Sequence, residues 1–418
     1  MIHEFKYFCH NSLVISRCLL GWSIHGNINR KGKVYVNNIT KSEFVKNSNC
    51  NCDENLFNLM KQYFEIDSIG LNNESENFVN NDDRALDILN KTCRYVDGSW
   101  EVGLLWRDEN MEFPNGRKNA LHRLNILERK LDKDEAYADK YYREMDRLID
   151  NGFAIKVQDI LGAIWYLPHF GVVNINKPGK VRLVFDAAAE VDGISFNKLL
   201  LSGPDLLKSL VGILMRFRQF KYAIKADMKD MFLKVKIRKE DQNAQRFFWR
   251  GRNRIVQPEE YVMTSMLFGA TSSPCSALYV KNVNANLFSD KYPKAANSLV
   301  HNIYMDDYLD SCESIDEARE RVKQVIEINK HANWDMHSWA SNDQTVFNEL
   351  NNLEGNNPNQ TSIIEGNLEK VLGLYWINSS DNFAFKLNTL KFSNNILNCI
   401  EKPTKRQCLS IIMSIFDQ

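Results

Sequence analysis

Apolar residues recur at helical spacing in long segments of the chain. Between Lys118 and Asp150 they fall every three or four positions, and Asn151-Gly152 supplies the expected end of this helical stretch. A second apolar face of helical spacing ends at Phe217, and Pro204 in its first turn predicts that this helix begins there.

A third helix and one strand are predicted from shorter patterns. Ser314-Ile315-Asp316-Glu317 has the form of a capping box, in which the serine and glutamate side chains accept hydrogen bonds from free backbone amides. A helix is therefore expected from there to about Lys330. The segment Lys221 to Asp227 alternates between apolar and polar residues, which predicts a strand with Asp227 at its end.

A hairpin is predicted where two strand-like runs, Ala163–Ile175 and Val181–Ala187, flank the sequence Lys177-Pro178-Gly179-Lys180. Proline followed by glycine suits a type II turn, so the lysines should lie at the hairpin tip. Residues 348–360 contain six asparagines and predict a loop.

Composition limits the class of protein. The chain has 418 residues, enough for two or three subdomains, and 44% apolar with 11% aromatic residues excludes general disorder. Its 53 basic and 53 acidic residues cancel. Locally they do not, because Arg216–Arg254 holds thirteen basic against four acidic residues and residues 40–97 hold six against eleven. This asymmetry predicts one face for phosphate, and residues 31–110 are expected to be an acidic, partly ordered connector.

Cysteine usage and hydropathy favour an intracellular chain. Nine scattered cysteines without even pairing fit a reducing compartment better than a disulfide framework. No apolar run reaches the roughly eighteen residues that a membrane span needs, so no membrane partner is expected.

The most informative sequence is Tyr304-Met305-Asp306-Asp307, taken together with Asp227. Adjacent carboxylates repel each other unless a positive charge lies between them. Two Mg²⁺ ions would remove that cost, and a third carboxylate from a neighbouring strand completes the constellation used in two-metal nucleotidyl transfer. An exposed Asp-Asp turn without any such chemistry is the alternative, since aspartate is a common turn residue.

Six segments in this order and spacing resemble the reverse transcriptase of a long-terminal-repeat retrotransposon of the BEL/Pao class. They are Lys180-Val-Arg-Leu-Val-Phe-Asp186, Leu201-Ser-Gly-Pro-Asp-Leu-Leu207, Ala226-Asp-Met-Lys-Asp-Met-Phe232, Phe268-Gly-Ala-Thr-Ser-Ser-Pro274, Tyr304-Met-Asp-Asp307 and Val371-Leu-Gly-Leu-Tyr-Trp376. The resemblance implies an α+β fold, the fingers and palm of a right-hand polymerase with a central antiparallel sheet, preceded by a helical or irregular N-terminal extension.

The resemblance also implies domain limits. Residues 1–30 are similar, through Leu20-Gly21-Trp22, to the C-terminal edge of an aspartic protease domain, although no Asp-Ser-Gly or Asp-Thr-Gly occurs. After the connector, residues 111–203 are expected to form a helical lead-in and the fingers, and residues 204–378 the palm. Residues 379–418 are expected to begin a thumb that is truncated, so that the ribonuclease H and integrase of the parent polyprotein are missing.

Site roles follow from the same resemblance. Asp227 and Asp306 are expected to bridge two Mg²⁺ ions, for which Mn²⁺ is a possible substitute, with Asp307 assisting beside them. Arg182, assisted by Lys180, is expected to bind the triphosphate, and Phe232 is expected to lie beneath the sugar. Phe268 and Gly269 are expected to pack against the nascent base pair. The primer terminus is assigned to Leu372, Gly373 and Trp376. Phe232 is the expected gate that excludes a 2′-hydroxyl. Asp186 is expected to position the fingers strand, and Asp310 is taken as a solvated turn residue.

One departure from the family pattern bears on catalysis. Related sequences commonly place a lysine before the tryptophan of Met336-His337-Ser338-Trp339, where it can protonate the leaving pyrophosphate, and here Ser338 takes that place. His337 is a possible substitute but is more simply a surface histidine.

The leading hypothesis is therefore an RNA-directed DNA polymerase core that extends a primer on an RNA or DNA template with deoxynucleotides. In an active element its location would be cytoplasmic, in a virus-like particle. The alternative is a catalytically silent or domesticated nucleic-acid-binding remnant of the same element. An unrelated two-metal nuclease is a third possibility, but it leaves the fingers motif and the aromatic gate unexplained.

Overall fold

The computed structural model describes residues 75–108, 113–157, 162–173, 181–346, 368–384, 402 and 404–408, and the backbone of three strands nearer the N-terminus. The chain divides into two compact units, residues 1–73 and 74–418. No helix among the described residues is long and apolar enough to cross a membrane.

In the N-terminal unit the described backbone is a three-stranded antiparallel sheet. Its strands follow the chain order: β1 (Ile2–Phe8), β2 (Leu13–Cys18) and β3 (Gly21–His25). The expectation of a helical or irregular N-terminal extension was therefore wrong for these three segments, which are strands. Their descent from a protease domain stays a prediction.

The second unit begins with helix α1 (Ser75–Thr92) and a hairpin of β4 (Arg94–Val96) and β5 (Ser99–Val102). Ala85, Leu89 and Trp100 from these elements are buried in the main core. The expectation of a partly ordered connector was therefore wrong for residues 81–108, which contribute these buried side chains to the main core.

The predicted helical stretch consists of two helices, α2 (Arg117–Lys133) and α3 (Glu135–Asp150), followed by β6 (Ala154–Lys156). Asp134 separates the helices because its side chain accepts a hydrogen bond from the Tyr137 amide, 3.0 Å away, and so caps α3. The predicted stop at Asn151-Gly152 is confirmed, and Gly152 takes a left-handed conformation with φ of 69°.

The predicted hairpin is confirmed in its strands, β7 (His169–Val173) and β8 (Val181–Phe185), which pair antiparallel. Its tip, including Lys180, lies outside the described residues. Three short elements follow: β9 (Glu190–Val191), β10 (Ile194–Ser195) and the single-turn helix α4 (Phe196–Leu199).

Helix α5 spans Leu210–Phe217 and begins later than predicted. Ser209 caps it by accepting a hydrogen bond from the Gly212 amide, so the helix start assigned to Pro204 was wrong. The next elements are β11 (Tyr222–Lys229), β12 (Lys236–Ile237), α6 (Lys239–Gln242), a 3₁₀ turn (Asn243–Gln245), β13 (Arg246–Trp249) and β14 (Glu259–Met263).

The remaining described elements complete the sheet and its cover. They are α7 (Ser273–Asn286), α8 (Pro293–His301), β15 (Ile303–Tyr304), β16 (Asp307–Cys312), α9 (Ile315–His331), β17 (Asp335–Ser341), β18 (Leu368–Val371), β19 (Leu374–Ile377) and β20 (Asn382–Ala384). The capping box is confirmed, because the Glu317 amide donates to the Ser314 hydroxyl. The predicted loop at 348–360 lies outside the described residues.

A four-stranded antiparallel sheet of order β15-β16-β11-β17 forms the centre of this unit. Alternate residues of each strand face opposite sides. Even-numbered residues of β11, such as Ile224, Ala226 and Met228, join the main core, which includes α9. Ala223 joins a second, smaller core with Ile213 and Phe217 of α5 and residues of β18 and β19. The sheet is therefore covered on both faces.

Candidate active site

The Tyr304-Met305-Asp306-Asp307 sequence forms a tight hairpin between β15 and β16. Tyr304 pairs with Asp307, which leaves Met305 and Asp306 as the two turn residues. Met305 has φ of 55°, a conformation that is costly for a residue with a side chain and fits the first position of a type II′ turn. The turn is thus Met305-Asp306 and not Asp306-Asp307, with Asp306 at the hairpin tip and Asp307 as the first residue of β16.

The turn lies beside Asp227 at the edge of the central sheet. Asp227 and Asp307 are directly opposite each other on the antiparallel strands β11 and β16. The Met228 amide donates a hydrogen bond of 2.8 Å to the Asp306 carbonyl, which continues the pairing one residue into the turn. The strand register therefore brings Asp227 beside the Asp306-Asp307 pair, from which it is distant in the sequence.

The electrostatics of this group are unfavourable without a cation. Burial and a hydrogen bond with the Asp227 carboxyl raise the pKa of Asp307 to about 7. Such a bond requires that one of the two carboxyl groups carries a proton. Asp306 lies at the exposed tip of the turn. Partial burial of its carboxyl group, and after that the Asp227 charge, raise its pKa as well.

Three basic side chains counteract this negative charge. Arg182 of β8 is exposed, and its charge lowers the pKa of Asp306, as does that of His337. Lys225, two residues before Asp227, lowers the pKa of Asp307. The β8 hairpin thus directs its arginine towards the carboxylates.

His337 and Ser338 lie at a bulge in β17 next to the site. His337 is opposite Asp227, and its Nδ1 is 3.0 Å from the Asp227 carbonyl oxygen. The register shift that follows places Ser338 and Trp339 together opposite Ala226, and Ser338 has φ of 55°. The interpretation of His337 as a surface histidine was therefore wrong. Its side chain is half-buried and forms a hydrogen bond with the backbone of β11 at Asp227.

The carboxylates fit a divalent-cation site that the substrate completes. Within the described ranges, no three His, Cys, Asp or Glu side chains are arranged as a preformed metal cage. Asp227 and Asp307 are opposite each other on paired strands, and Mg²⁺ is commonly held by one or two carboxylates plus substrate phosphates. The donor set is thus appropriate for Mg²⁺ that arrives with a nucleotide.

Two of the predicted nucleotide-contacting rings lie against each other. Phe232 is largely buried, and its ring packs edge-to-face on Phe268, with the ring centroids 4.8 Å apart. Gly269 has φ of 98°, which favours glycine, and Asn197 holds this loop by donating to the Gly269 carbonyl. The side-chain amide oxygen of Asn197 also accepts a hydrogen bond from the Thr271 backbone amide. The structure therefore brings Phe232, Phe268 and Gly269 together.

The predicted primer-contacting residues lie on the β18–β19 hairpin. Leu372 and Gly373 have φ of 47° and 91°, the values of a two-residue type I′ turn. Leu372 packs on the second core together with Tyr304 of the carboxylate hairpin. Trp376 is fully buried against Phe217, so burial leaves it no face for a primer and narrows its predicted role to holding the hairpin.

Asp310 is not the solvated turn residue that was expected. Its carboxylate is buried and accepts hydrogen bonds from Asn302, Tyr308, the Ser311 amide and Arg321, at 2.6–2.9 Å. Strand alternation points Asp310 to the α9 face, opposite to that of Asp307. Asp186 also has a partner, because Arg123 of α2 donates to it at 2.9 Å.

The basic segment Arg216–Arg254 is largely engaged within the protein. Its arginines pair with acids on other elements, as Arg218 does with Asp381, Arg246 with Glu260 and Arg250 with Glu128. The predicted face for phosphate therefore cannot rest on these three arginines, whose charges are paired within the protein. Sequence charge counts do not reveal which charges fold back onto distant acids.

Comparison with known proteins agrees with this geometry. Residues 188–338 match the family model described as reverse transcriptase (RNA-dependent DNA polymerase). The matched segment contains Asp227, Phe232, Phe268, Gly269, Asp306 and Asp307, and it is similar to the domains that this family model describes. Members of this family use divalent metal ions.

Among solved structures, a foamy viral protease–reverse transcriptase in complex with double-stranded DNA aligns at 22% identity, with a TM-score of 0.31. The alignment covers 46% of this chain and 29% of that one. Curated protein sequences yield no match.

Two residues near the site were missed by the sequence reasoning. Lys225 was counted only as one charge of the basic segment, although its position two residues before Asp227 on a strand places both on one face. Glu369, its ion-pair partner, carries no local signal because it lies 144 positions away.

Proposed function

We propose that the chain is the polymerase core of a BEL/Pao-type retrotransposon, which extends a primer 3′-hydroxyl with deoxynucleotides on an RNA or DNA template. The observation that carries the proposal is the direct pairing of Asp227 with Asp307, with Asp306 joined to the same strand through Met228. In a reverse transcriptase domain, this arrangement supports two-metal nucleotidyl transfer.

Each side chain of the site would have its own role in this reaction. Asp227, Asp306 and Asp307 would hold two Mg²⁺ ions. When bound, these ions lower the pKa of the primer hydroxyl and neutralise charge on the departing pyrophosphate. Arg182 would bind triphosphate oxygens, for which its planar fork is suited. Phe232, held by Phe268, would lie beneath the sugar and exclude a 2′-hydroxyl.

The right-hand description follows from the same assignments. The β7–β8 hairpin with Arg182 would belong to the fingers, and the β15-β16-β11-β17 sheet to the palm. The β18–β19 hairpin, whose tip Leu372 packs near Tyr304, would hold the primer terminus.

Primer extension by the full chain tests the proposal. With an RNA template, a DNA primer, deoxynucleotides and Mg²⁺, wild-type protein is expected to extend the primer, and Asp306→Asn is expected to abolish extension while retaining the wild-type circular-dichroism spectrum. A wild-type protein that binds template–primer but never extends it would favour the silent-remnant alternative.

Sugar selection separates the chain's own activity from that of a contaminating polymerase. Phe232→Ala should lower the preference for deoxynucleotides over ribonucleotides by roughly 10–100-fold, because it opens space for the 2′-hydroxyl. Phe232→Tyr keeps the ring and should retain the preference. Equal selectivity in all three proteins would remove Phe232 from this role.

A further inference from the structure

A buried lysine lies between the carboxylate pair and the β18–β19 hairpin. Lys225 is 5% exposed and lies two residues before Asp227 on β11, so both side chains are on the same face of the sheet. Its ammonium group is 3.4 Å from the Glu369 carboxylate of β18. A charge this deeply buried requires a partner, and Glu369 supplies one from the hairpin.

The same ammonium group is close to Asp307. Lys225 is directly opposite Leu309 on β16, and Asp307 is two residues from Leu309, which makes it the diagonal neighbour of Lys225. Diagonal neighbours in an antiparallel pair are about 7–8 Å apart, within reach of a long side chain. The Lys225 charge indeed acts on Asp307 and lowers its pKa.

We propose that Lys225 is a positioning residue that couples the hairpin to the carboxylate pair. Its ammonium group holds Glu369, and thereby the hairpin tip at Leu372-Gly373, in a fixed position relative to Asp227 and Asp307. The proposal rests on the proposed function in one respect, namely that the hairpin receives the primer terminus.

The arrangement has a consequence for cation binding that depends on charge. The Lys225 ammonium group opposes the binding of a divalent cation at Asp307, and Glu369 balances part of its positive charge. Lys225→Met removes the opposing charge and strengthens cation binding. Glu369→Gln removes the negative charge that balances the ammonium group, so cation binding at Asp307 is weakened. The two variants break the same ion pair but change cation affinity in opposite directions.

The three-stranded sheet that contains this hairpin has a second attachment, which offers a matched control. Arg218, at the end of α5, forms an ion pair with Asp381, in the turn between β19 and β20, and also donates to its carbonyl oxygen at 2.7 Å. The Trp376 indole donates to the same Asp381 carboxylate at 2.9 Å. Arg218→Met therefore breaks an ion pair of the same sheet that does not involve Lys225.

The first measurement is the thermal stability of the full chain as a function of Mg²⁺, without primer or nucleotide. Relative to wild type, the Mg²⁺ concentration at half-maximal stabilisation should fall about three- to tenfold in Lys225→Met and rise by a similar factor in Glu369→Gln. Arg218→Met and Lys225→Arg should stay within about twofold of wild type, because both keep the charge beside Asp307. Midpoints that shift in the same direction in Lys225→Met and Glu369→Gln would overturn the charge argument.

The second measurement is amide hydrogen exchange over residues 368–384 in metal-free protein. Exchange should accelerate about fivefold in Lys225→Met, Glu369→Gln and Arg218→Met, and stay near wild type in Lys225→Arg. Methionine has a similar length and an apolar stem, so it fills the space among Leu309 and Val371. Unchanged exchange in the first two variants would show that the ion pair does not hold the hairpin.

Primer-extension kinetics complete the test. Lys225→Met and Glu369→Gln should raise KM for template–primer about fivefold with a smaller change in kcat, since the hairpin is loosened but the carboxylates remain. A wild-type chain without extension or without any Mg²⁺ effect contradicts the proposed function. The exchange result would still decide whether Lys225 holds the hairpin.

Discussion

Asp307 and Asp310 lie three residues apart on β16 and have opposite surroundings. Asp310 faces α9 and is satisfied by four donors, including the Arg321 guanidinium at 2.6 Å. Asp307 faces the site, where its closest polar neighbour is another carboxyl group. Burial raises the pKa of both residues, but only at Asp310 do a neighbouring cation and neutral donors oppose that rise strongly.

The comparison distinguishes a buried carboxylate that stabilises the fold from one that is available to bind a cation or a substrate. A buried carboxylate whose partners are all supplied by the protein stabilises one arrangement of strand and helix. A carboxylate pair left to share a proton is stabilised only when a cation or substrate arrives. Strand β16 therefore carries both kinds of carboxylate. Because side chains alternate between the two faces of a strand, Asp307 and Asp310 lie on opposite faces.

The largest expected effect is on activity at the site side of the strand. Asp307→Asn should lower primer extension by about 10³-fold or more, because the cation pair loses a ligand. In metal-free buffer the same variant should unfold at a higher temperature than wild type, since the repulsion with Asp227 is relieved. Activity near the wild-type level would show that Asp307 is not part of the cation site.

The next effect is on stability at the α9 side. Asp310→Ala should lower the free energy of unfolding by about 3–5 kcal/mol, because it leaves the buried Arg321 charge without its carboxylate. Urea denaturation of the variant beside wild type measures this. Arg321→Met in the same background should recover part of the loss, and full additivity of the two changes would contradict a direct interaction.

The smallest effect is a pH dependence that has an unusual sign. The folded protein keeps a proton on Asp307 up to pH about 7, whereas the unfolded chain loses it near the ordinary value of 3.8. The folded state therefore binds more protons in this window, and its stability should fall by roughly 2–4 kcal/mol as pH rises from about 4 to about 7.

Urea denaturation in the presence of a chelator, between pH 4 and pH 8, measures this effect. The contribution of Asp307 is the free energy of unfolding of wild type minus that of Asp307→Asn at each pH. The difference should disappear when Mg²⁺ is added, because the cation then replaces the proton. A difference that is flat with pH would place the shared proton elsewhere.

Much of the site was predictable because its residues carry local signals. The period-two strand before Asp227 and the capping box at Ser314 depend on neighbours in sequence, and both appear in the structure where they were predicted. The tight turn at the aspartates is also present, but it consists of Met305 and Asp306. Phe232 and Phe268 were assigned to one site by resemblance, and their rings meet. The start of α5 was misplaced, because Ser209 and Pro204 are both acceptable helix starts locally and only one is used.

What failed was the assignment of charges. Asp310 was expected in solvent and is buried, and arginines of the basic segment, among them Arg218 and Arg250, pair with acids on other elements. Neither outcome could be derived from composition, because a charged residue carries no mark of which distant partner it will meet.

The central strands, the tight turns and the types of residue at the site could be derived from the amino-acid sequence, since they follow from backbone preferences over a few positions. The pairing of Asp227 with Asp307, of Asp310 with Arg321 and of Lys225 with Glu369 arises from the folded arrangement. This is because a charge interacts over several ångströms in space. The distances that decide its energy are set by strand register and by packing across the two faces of the sheet.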